Sequence, residues 1–433
     1  MATGFINSKP VNSFPGKVLW VDGESLTATW HRLLPVPYCH ACHLHQQKTK
    51  DKIKPSGTLR DACERKVGIV HSIQVKPQEP GGPKIHTYNS TSANISLLVP
   101  NRDVVHNSGA GYTEEAALNA AIGESLERYA AGLYHQRNLI LSSWKQLKEE
   151  AVHPSTVGLY STEQYAQSNF PFVPFTENTA VRWTRAFTWS DRQCVWVPAF
   201  LTYLPYRLAK TEANITHSIS TGLAAGVSFE AAVLNGLYEV LERDALAISW
   251  LHRLPPQPVP DDVVKSCPNV WSRLEESAGK CRVRFYNLAL DFPFPVVLAL
   301  IEYDGADRSF MTIGCACRFS FVEAIEKAFL EASQGIPYIR YLLQRYQDWE
   351  PGTAFEYVDS FAKHAILYSK YPHLREEVKY LLHPDAQLVE YRQPSVTGAY
   401  QNECGTDAAL SCLLYRQWCL SCLTPPPSFH LAQ

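Results

Sequence analysis

The chain has 433 residues, 45% of them hydrophobic and 19% charged, which is enough to bury a large core in one large domain with a small appendage. Its formal net charge of −2 provides no basic surface for nucleic acid. The N-terminus lacks an apolar signal core and no run of about 18 apolar residues occurs, so we expect a cytoplasmic protein without a membrane span.

Three segments are expected along the chain. Residues 1–65 are polar and proline-punctuated, with a strand predicted at 17–22. In residues 66–400, strands alternate with long helices, a pattern that indicates the α/β (α+β) class with mixed sheets. Residues 401–433 form a C-terminal segment with a proline-rich tail, which is expected to be extended. Further strands are predicted at 67–75, 93–99, 182–189, 194–203, 282–287, 296–303 and 309–315.

One helical segment occurs twice, as GESLERYA at 123–130 and as YEVLERDA at 238–245. Residues at i, i+3 and i+4 share one helix face, so each copy presents two carboxylates and a guanidinium to one region. The aligned pairs are Glu124 with Glu239, Glu127 with Glu242, and Arg128 with Arg243. A single copy is typical of an exposed face with intrahelical ion pairs. Two aligned copies between apolar residues indicate a duplication and a shared buried site, whose carboxylates need a counter-charge such as Mg²⁺.

A third and weaker copy of the repeat lies at 320–334. Ser320 opens it as the first residue of an S-x-x-E capping box, which predicts a third helix. In the alignment with the second copy, Glu331 takes the place of Glu239, and Gln334 takes that of Glu242. Three helices are therefore expected to direct polar residues at one site.

Together, the runs SGAGYTEEAALNAAIGESLERYAA and STGLAAGVSFEAAVLNGLYEVLERDAL resemble the YcaO superfamily, over roughly residues 66–400. The resemblance implies a YcaO-like fold with internally repeated strand-helix units and an ATP-dependent enzyme that activates peptide backbone amides. It assigns catalysis and Mg²⁺ binding to Glu124, Glu127, Glu239 and Glu242. It also implies nucleotide contacts at Arg65, Ser72, Arg128, Asn235, Arg243, Gln334 and Arg340.

The chain departs from the family pattern at several positions. Ala120 stands where the family has serine, and the family's G-K-G loop reads G-A-G at 109–111. Ile336 replaces an arginine, which leaves Arg340, one helical turn farther on, as its substitute. We interpret these changes as subfamily variation, with impaired ATP turnover as the alternative. No P-loop motif is present, so metal and arginine would have to bind phosphate. The small residues at 220–226 either let backbone approach a ligand or form a tight strand-to-helix connection.

The resemblance favours a cyclodehydratase that converts Cys, Ser or Thr of a ribosomally made precursor peptide to thiazoline or oxazoline. Two alternatives stay open: a thioamide- or amidine-forming enzyme, and a catalytically weakened peptide-binding scaffold. The N-terminal segment is small for a complete leader-binding domain, so a separate leader-recognition protein is expected, and a homodimer is left open. Prolines 425–427 resemble the family's proline-rich end, although six residues follow them.

The chain has twelve cysteines, and two C-x-x-C pairs lie near its ends. Such pairs suit a tetrahedral structural Zn²⁺ site, although their separation is far from that of a compact zinc ribbon. The pairs are Cys39 with Cys42 and Cys419 with Cys422. The alternatives are a site completed by His40 or His43, and unliganded thiols. The C-A-C run at 315–317 has the wrong spacing for zinc and is expected in or beside a strand.

Overall fold

The computed structural model describes residues 17–32, 58–94, 106–189, 193–277, 280–304 and 309–382. The strands are β1 Lys17–Asp22, β2 Thr27–Arg32, β3 Val70–Val75, β4 His86–Ser92, β5 His106–Gly111, β6 Ile140–Ser142, β7 Val181–Phe187, β8 Cys194–Pro198, β9 Gln257–Pro258, β10 Cys281–Asn287, β11 Val296–Asp304 and β12 Ser309–Cys317. The helices are α1 Glu114–Ala131, α2 Trp144–Leu147, α3 Thr162–Tyr165, α4 Phe229–Leu251, α5 Asp261–Lys265, α6 Pro268–Glu276, α7 Phe321–Arg345, α8 Phe361–Lys370 and α9 Lys379–Leu382.

These described strands form four sheets, in the orders β1-β2, β3-β4-β5, β6-β7-β8 and β12-β11-β10-β9. Long helices that alternate with sheets confirm the α/β (α+β) class. The sheets differ from the mixed sheets expected, because every pairing between these strands is antiparallel. Short links such as the one between β7 and β8 permit antiparallel pairing, whereas parallel neighbours need a long crossover. The antiparallel pairs β6-β7 and β9-β10 have longer links that contain short helices. In this part of the chain, no helix is long and apolar enough to cross a bilayer.

The largest core surrounds β11, whose residues are buried on both faces of the sheet. Val297, Ala299 and Ile301 pack in the cluster that contains α7. Leu298 and Leu300 point the other way, into the cluster that contains α4. This alternation follows from the two-residue period of a strand. The sheet is therefore a layer between α4 and α7, which explains the uninterrupted apolar run that predicted this strand.

Helix α1 packs closely on the sheet of β3, β4 and β5. Ala117 and Ala121 are fully buried against that sheet. A Cβ added at Gly111 of β5 would lie 2.5 Å from the backbone nitrogen of Ala117, so only glycine permits this approach. The second copy has the same arrangement, because a Cβ at Gly226 would collide with the backbone of Ala232.

Each of the three long helices begins at a hydroxyl N-cap. Such a side chain accepts a hydrogen bond from a first-turn N–H that has no partner within the helix. The pairs are Thr113 with the N–H of Ala116, Ser228 with that of Ala231, and Ser320 with that of Glu323. The capping box predicted at Ser320 is confirmed. The repeat that the glutamate motif indicates therefore also includes the N-caps of the helices.

Most predicted strands agree with the structure within a few residues, and the one at 17–22 has the same bounds. The strand predicted at 194–203 ends earlier, at Pro198, where a 3₁₀ turn begins. The prediction at 93–99 lies mostly outside the described residues, and Ala93 and Asn94 follow the end of β4. The C-A-C run at 315–317 lies in β12, as expected.

A buried polar network joins α1 to β4 and β5. The hydroxyl of Ser125, which is fully buried, is 2.8 Å from that of Ser90 and accepts a hydrogen bond of 2.9 Å from the amide of Asn107. Ser90 donates to the carbonyl of Ala121, and Asn107 also donates to the hydroxyl of Ser92. Because Ser125 lies between Glu124 and Glu127, this network fixes the rotation of the helix that carries both carboxylates.

Replacing Ser125 with alanine is expected to lower the free energy of unfolding by about 1–3 kcal/mol, because Asn107 and Ser90 lose a buried partner. Urea unfolding followed by circular dichroism measures this loss. Ser72→Ala is the control, since Ser72 is exposed on β3. Equal unfolding free energies for the two variants would contradict a stabilising role for the network.

Candidate functional site

In the first helix copy, Arg128 bridges the two glutamates of its own repeat. Its Nη2 is 2.9 Å from Oε1 of Glu124, and its Nη1 is 3.2 Å from Oε1 of Glu127. The arginine side chain is only 19% exposed. Burial raises the pKa of Glu127 to about 7, repulsion by Glu124 adds to the rise, and Arg128 opposes it. The guanidinium thus offsets part of the charge that burial disfavours.

The second copy repeats the arrangement with a more exposed cation. Arg243 Nη2 is 3.6 Å from Oε1 of Glu239, and its Nε is 3.2 Å from Oε1 of Glu242. The side chain of Arg243 is 54% exposed, whereas Glu242 is buried. Burial also raises the pKa of Glu239, with Arg243 acting against the rise. Two residues of the first copy also change the pKa of Glu239: Arg128 lowers it and Glu124 raises it. The two copies therefore share one electrostatic region.

The third helix adds the carboxylate of Glu331. This residue aligns with Glu239 in the sequence but is not among the predicted site residues. Burial, and next repulsion from Glu331 of α7, hold the pKa of Glu242 well above its ordinary value, while Arg243 and Arg318 lower it. Arg318 is a second residue missed, because it lies in the link between β12 and α7 and has no repeated motif. The internal alignment of Glu331 with Glu239 was the signal that could have identified the carboxylate.

The loop 220–226 connects the two helix copies through its backbone. The N–H of Gly222 donates to Oε2 of Glu239 at 3.2 Å. The N–H of Ala225 donates to Oε2 of Glu127 at 3.0 Å. The segment enters α4 from a long loop that follows the turn Ala199–Leu201, and not from a strand as one alternative had it. Its backbone lies at the glutamates, and its approach to a ligand stays a prediction.

The remaining nucleotide candidates occupy different surroundings. Asn235, one turn before Glu239 on α4, donates through its side-chain amide to the carbonyl of Ala225 at 3.0 Å. Gln334 is half-buried and lies one turn after Glu331, on the same face of α7. Arg340, by contrast, pairs with Glu79 and donates to the hydroxyl of Tyr303 at 3.1 Å.

Arg65 and Ser72 are exposed. Arg65 precedes β3 and Ser72 lies within it, and β3 pairs with β4 in the sheet that supports α1. Among the described residues, neither forms a hydrogen bond or ion pair with a glutamate of the site. Their nucleotide contacts stay predictions. The zinc prediction falls on Cys39, Cys42, Cys419 and Cys422, all of which lie outside the described residues, as do prolines 425–427.

The donor set fits Mg²⁺ bound together with phosphates. Carboxylates from three helices outnumber the cationic side chains that contact them, which are Arg128, Arg243 and, at Glu331, Lys327. Added positive charge would therefore be stabilised there. In the described part of the chain, no group of three or more His, Cys, Asp or Glu side chains is placed to hold a metal by itself. Mg²⁺ needs less than such a group, because it keeps several waters and binds one or two carboxylates with substrate phosphates.

Comparison with protein families identifies one match, described as YcaO cyclodehydratase, ATP- and Mg²⁺-binding, over residues 108–404. This range contains all three long helices and the loop 220–226. Comparison with curated proteins found no match.

Several solved structures share the fold. A heterocyclase in complex with substrate and cofactor superposes with a TM-score of 0.65 at 18% identity, covering 93% of this chain and 56% of that chain. YcaO from Methanopyrus kandleri, bound with AMPPCP and Mg²⁺, has a TM-score of 0.51 at 19% identity, with coverages of 80% and 77%. A chain of the E. coli microcin synthetase McbBCD complex has a TM-score of 0.55 at 16% identity, with coverages of 78% and 80%.

This chain spans little more than half the length of the first heterocyclase, and at these identities the likeness shows the fold alone. The family match covers more than half of the chain and includes both copies of the glutamate motif. The protein belongs to the YcaO family.

Proposed function

We propose that this protein is an ATP- and Mg²⁺-dependent cyclodehydratase of a ribosomally made precursor peptide. It would convert Cys, Ser or Thr residues to thiazoline or oxazoline rings. The observation that supports this most, in a member of the YcaO family, is that two glutamates of each motif copy pair with the arginine of that copy. The charge of Glu331 on the third helix also acts on Glu242. Such a cluster of buried and partly buried carboxylates suits a magnesium nucleotide better than an apolar or anionic ligand alone.

In this proposal, Mg²⁺ would be held by Glu124, Glu127, Glu239 and Glu242, and it would supply positive charge to the ATP phosphates and to the transferred phosphoryl group. Arg128 and Arg243 lie beside those carboxylates and contribute further positive charge. Glu331 and Gln334 complete the site from α7. Arg65 and Ser72 are proposed nucleotide contacts on the strength of the family motif.

The substrate supplies its own nucleophile. The side-chain sulfur or oxygen attacks the carbonyl carbon of the preceding peptide bond, and the former carbonyl oxygen takes the γ-phosphoryl group of ATP, leaving ADP. Phosphate then departs with that oxygen as the amide nitrogen forms the C=N bond. The thiol or hydroxyl proton and the amide proton are released, so the peptide loses one water per ring. The protein contributes position and charge stabilisation.

The proposed substrate and partners draw on the structural neighbours. One neighbour, the E. coli microcin synthetase McbBCD, is a complex of several proteins and has been solved with pro-MccB17 bound. By analogy, this chain would take a precursor peptide delivered by a separate leader-recognition protein. Residues 66–400 would be the catalytic domain, between the N-terminal segment 1–65 and the C-terminal segment 401–433.

Replacing either Glu124 or Glu239 with glutamine is expected to lower Mg²⁺-dependent ATP consumption by at least about 100-fold, because a carboxylate that neutralises the metal is lost. ATP turnover is measured at limiting Mg²⁺, and circular dichroism checks the fold. Glu115→Gln is the matched control, since Glu115 lies on α1 but is exposed in its first turn. Turnover near wild type in both test variants would remove these residues from the site.

The mass of the product distinguishes the proposed reaction from the alternatives. The purified enzyme, incubated with ATP, Mg²⁺ and a peptide that contains Cys, Ser and Thr, is expected to remove one water per modified residue. Mass spectrometry measures this change. A peptide with those residues replaced by alanine should stay unchanged. A gain equal to the exchange of oxygen for sulfur would instead identify a thioamide-forming enzyme.

A further inference from the structure

We propose that the loop 220–226 is a positioning device for the metal-binding glutamates, and that Asn235 is a positioning residue that acts through this loop. The inference rests on the proposed function. It replaces the nucleotide contact implied for Asn235 by the family motif with a contact to the protein's own backbone.

The two repeats use the oxygens of their glutamates in the same way. In Glu127, Oε2 accepts the N–H of Ala225 while Oε1 faces Arg128. In Glu239, Oε2 accepts the N–H of Gly222 while Oε1 faces Arg243. A backbone N–H is fixed in space, so it sets the orientation of the carboxylate that it binds. One oxygen of each glutamate is therefore held by the loop, and the other is presented beside the arginine.

The loop is itself fixed against α4. Gly222 has φ +87°, in the left-handed region that favours glycine. A Cβ at Gly236 would lie 2.6 Å from the carbonyl oxygen of Gly222, so only glycine lets the loop approach the helix this closely. The side chain of Asn235 anchors the other half of the loop through the carbonyl of Ala225. These contacts hold both donating N–H groups in place.

A purely structural connection would not require this arrangement. The loop contains no large aromatic side chain, and its Gly222 is exposed. Its backbone N–H groups donate to one carboxylate of each helix copy, Glu127 and Glu239. The proposed metal requires these carboxylates in a defined orientation. A displacement of the loop would leave each of these glutamates with only its arginine to orient it.

The test displaces the loop without touching a proposed ligand. Gly236→Ala places a methyl group against the carbonyl of Gly222, and is expected to weaken Mg²⁺-dependent binding of AMPPCP by about 10- to 100-fold. Isothermal titration calorimetry at several Mg²⁺ concentrations measures this loss. Gly123→Ala is the matched control, because it lies on α1 beside Glu124, where an added Cβ meets nothing within 4 Å. The control should bind AMPPCP as the wild type does.

Two substitutions at Asn235 test the mode of action. Asn235→Asp keeps the side-chain oxygens but removes the N–H donor to Ala225, so it should weaken binding as much as Asn235→Ala. A residue that used its side-chain oxygen to bind the metal would tolerate the aspartate. Binding by Asn235→Asp close to wild type would therefore overturn the positioning role.

The outcomes separate this inference from the proposed function. If wild-type protein binds no AMPPCP with Mg²⁺, the proposed function fails and the inference fails with it. If wild type binds and Gly236→Ala binds equally well, the loop has no positioning role while the function stands. Should Gly236→Ala fail to fold, Asn235→Ala decides, because Asn235 is exposed. Unchanged binding in that variant rejects the inference.

Discussion

The structure depends on the cost of burying several carboxylates close together. Glu242 is buried and faces the like charge of Glu331, and burial raises the pKa of Glu127 and Glu239 as well. Removing charge from water is costly unless partners offset it. Two arginines and two backbone N–H groups do so in part. The remaining deficit of positive charge is what makes this region suitable for a magnesium nucleotide.

The two helix copies offset the free-energy cost of burying their carboxylates through different contacts. In the first, Arg128 is largely buried, and the Ser125 network fixes the helix on its sheet. In the second, Val240 occupies the position aligned with Ser125, and Arg243 is more exposed. There the loop 220–226 packs on the helix instead. Duplication therefore preserved the glutamates, the arginine and the N-cap, while the supporting contacts diverged.

The sequence predicted the features that arise from local periodicity. The glutamate helices follow from i, i+3, i+4 spacing, and β11 follows from its apolar run. Strands β4 and β5 were missed, because inward positions carry Ser90, Asn107 and Gly109 instead of large apolar residues. Their stability comes from hydrogen bonds and close helix packing, which hydropathy does not register. The G-A-G run expected as a loop accordingly ends β5.

Contacts between distant segments could not be predicted in this way. No local pattern indicates that Arg340 pairs with Glu79, or that the Asn235 side chain meets the carbonyl of Ala225. Glu331 could be aligned with Glu239, but its place beside Glu242 depends on the packing of α7 and α4 on opposite faces of one sheet. The resemblance named candidate site residues and left their partners undefined.

The departures at Ile336 and Arg340 can be interpreted from the packing of α7. Ile336 is fully buried in the core around β11, an environment in which an unpaired charge would be strongly disfavoured. Arg340 lies one turn farther along and is engaged by Glu79 and Tyr303. The two positions therefore serve to attach the segment around Glu79 to the helix. Positive charge near the glutamates comes instead from Arg128, Arg243 and Arg318, each within electrostatic reach of a carboxylate. The guanidiniums near the glutamates therefore belong to the duplicated motif and to the link between β12 and α7, whereas that of Arg340 on α7 pairs with Glu79.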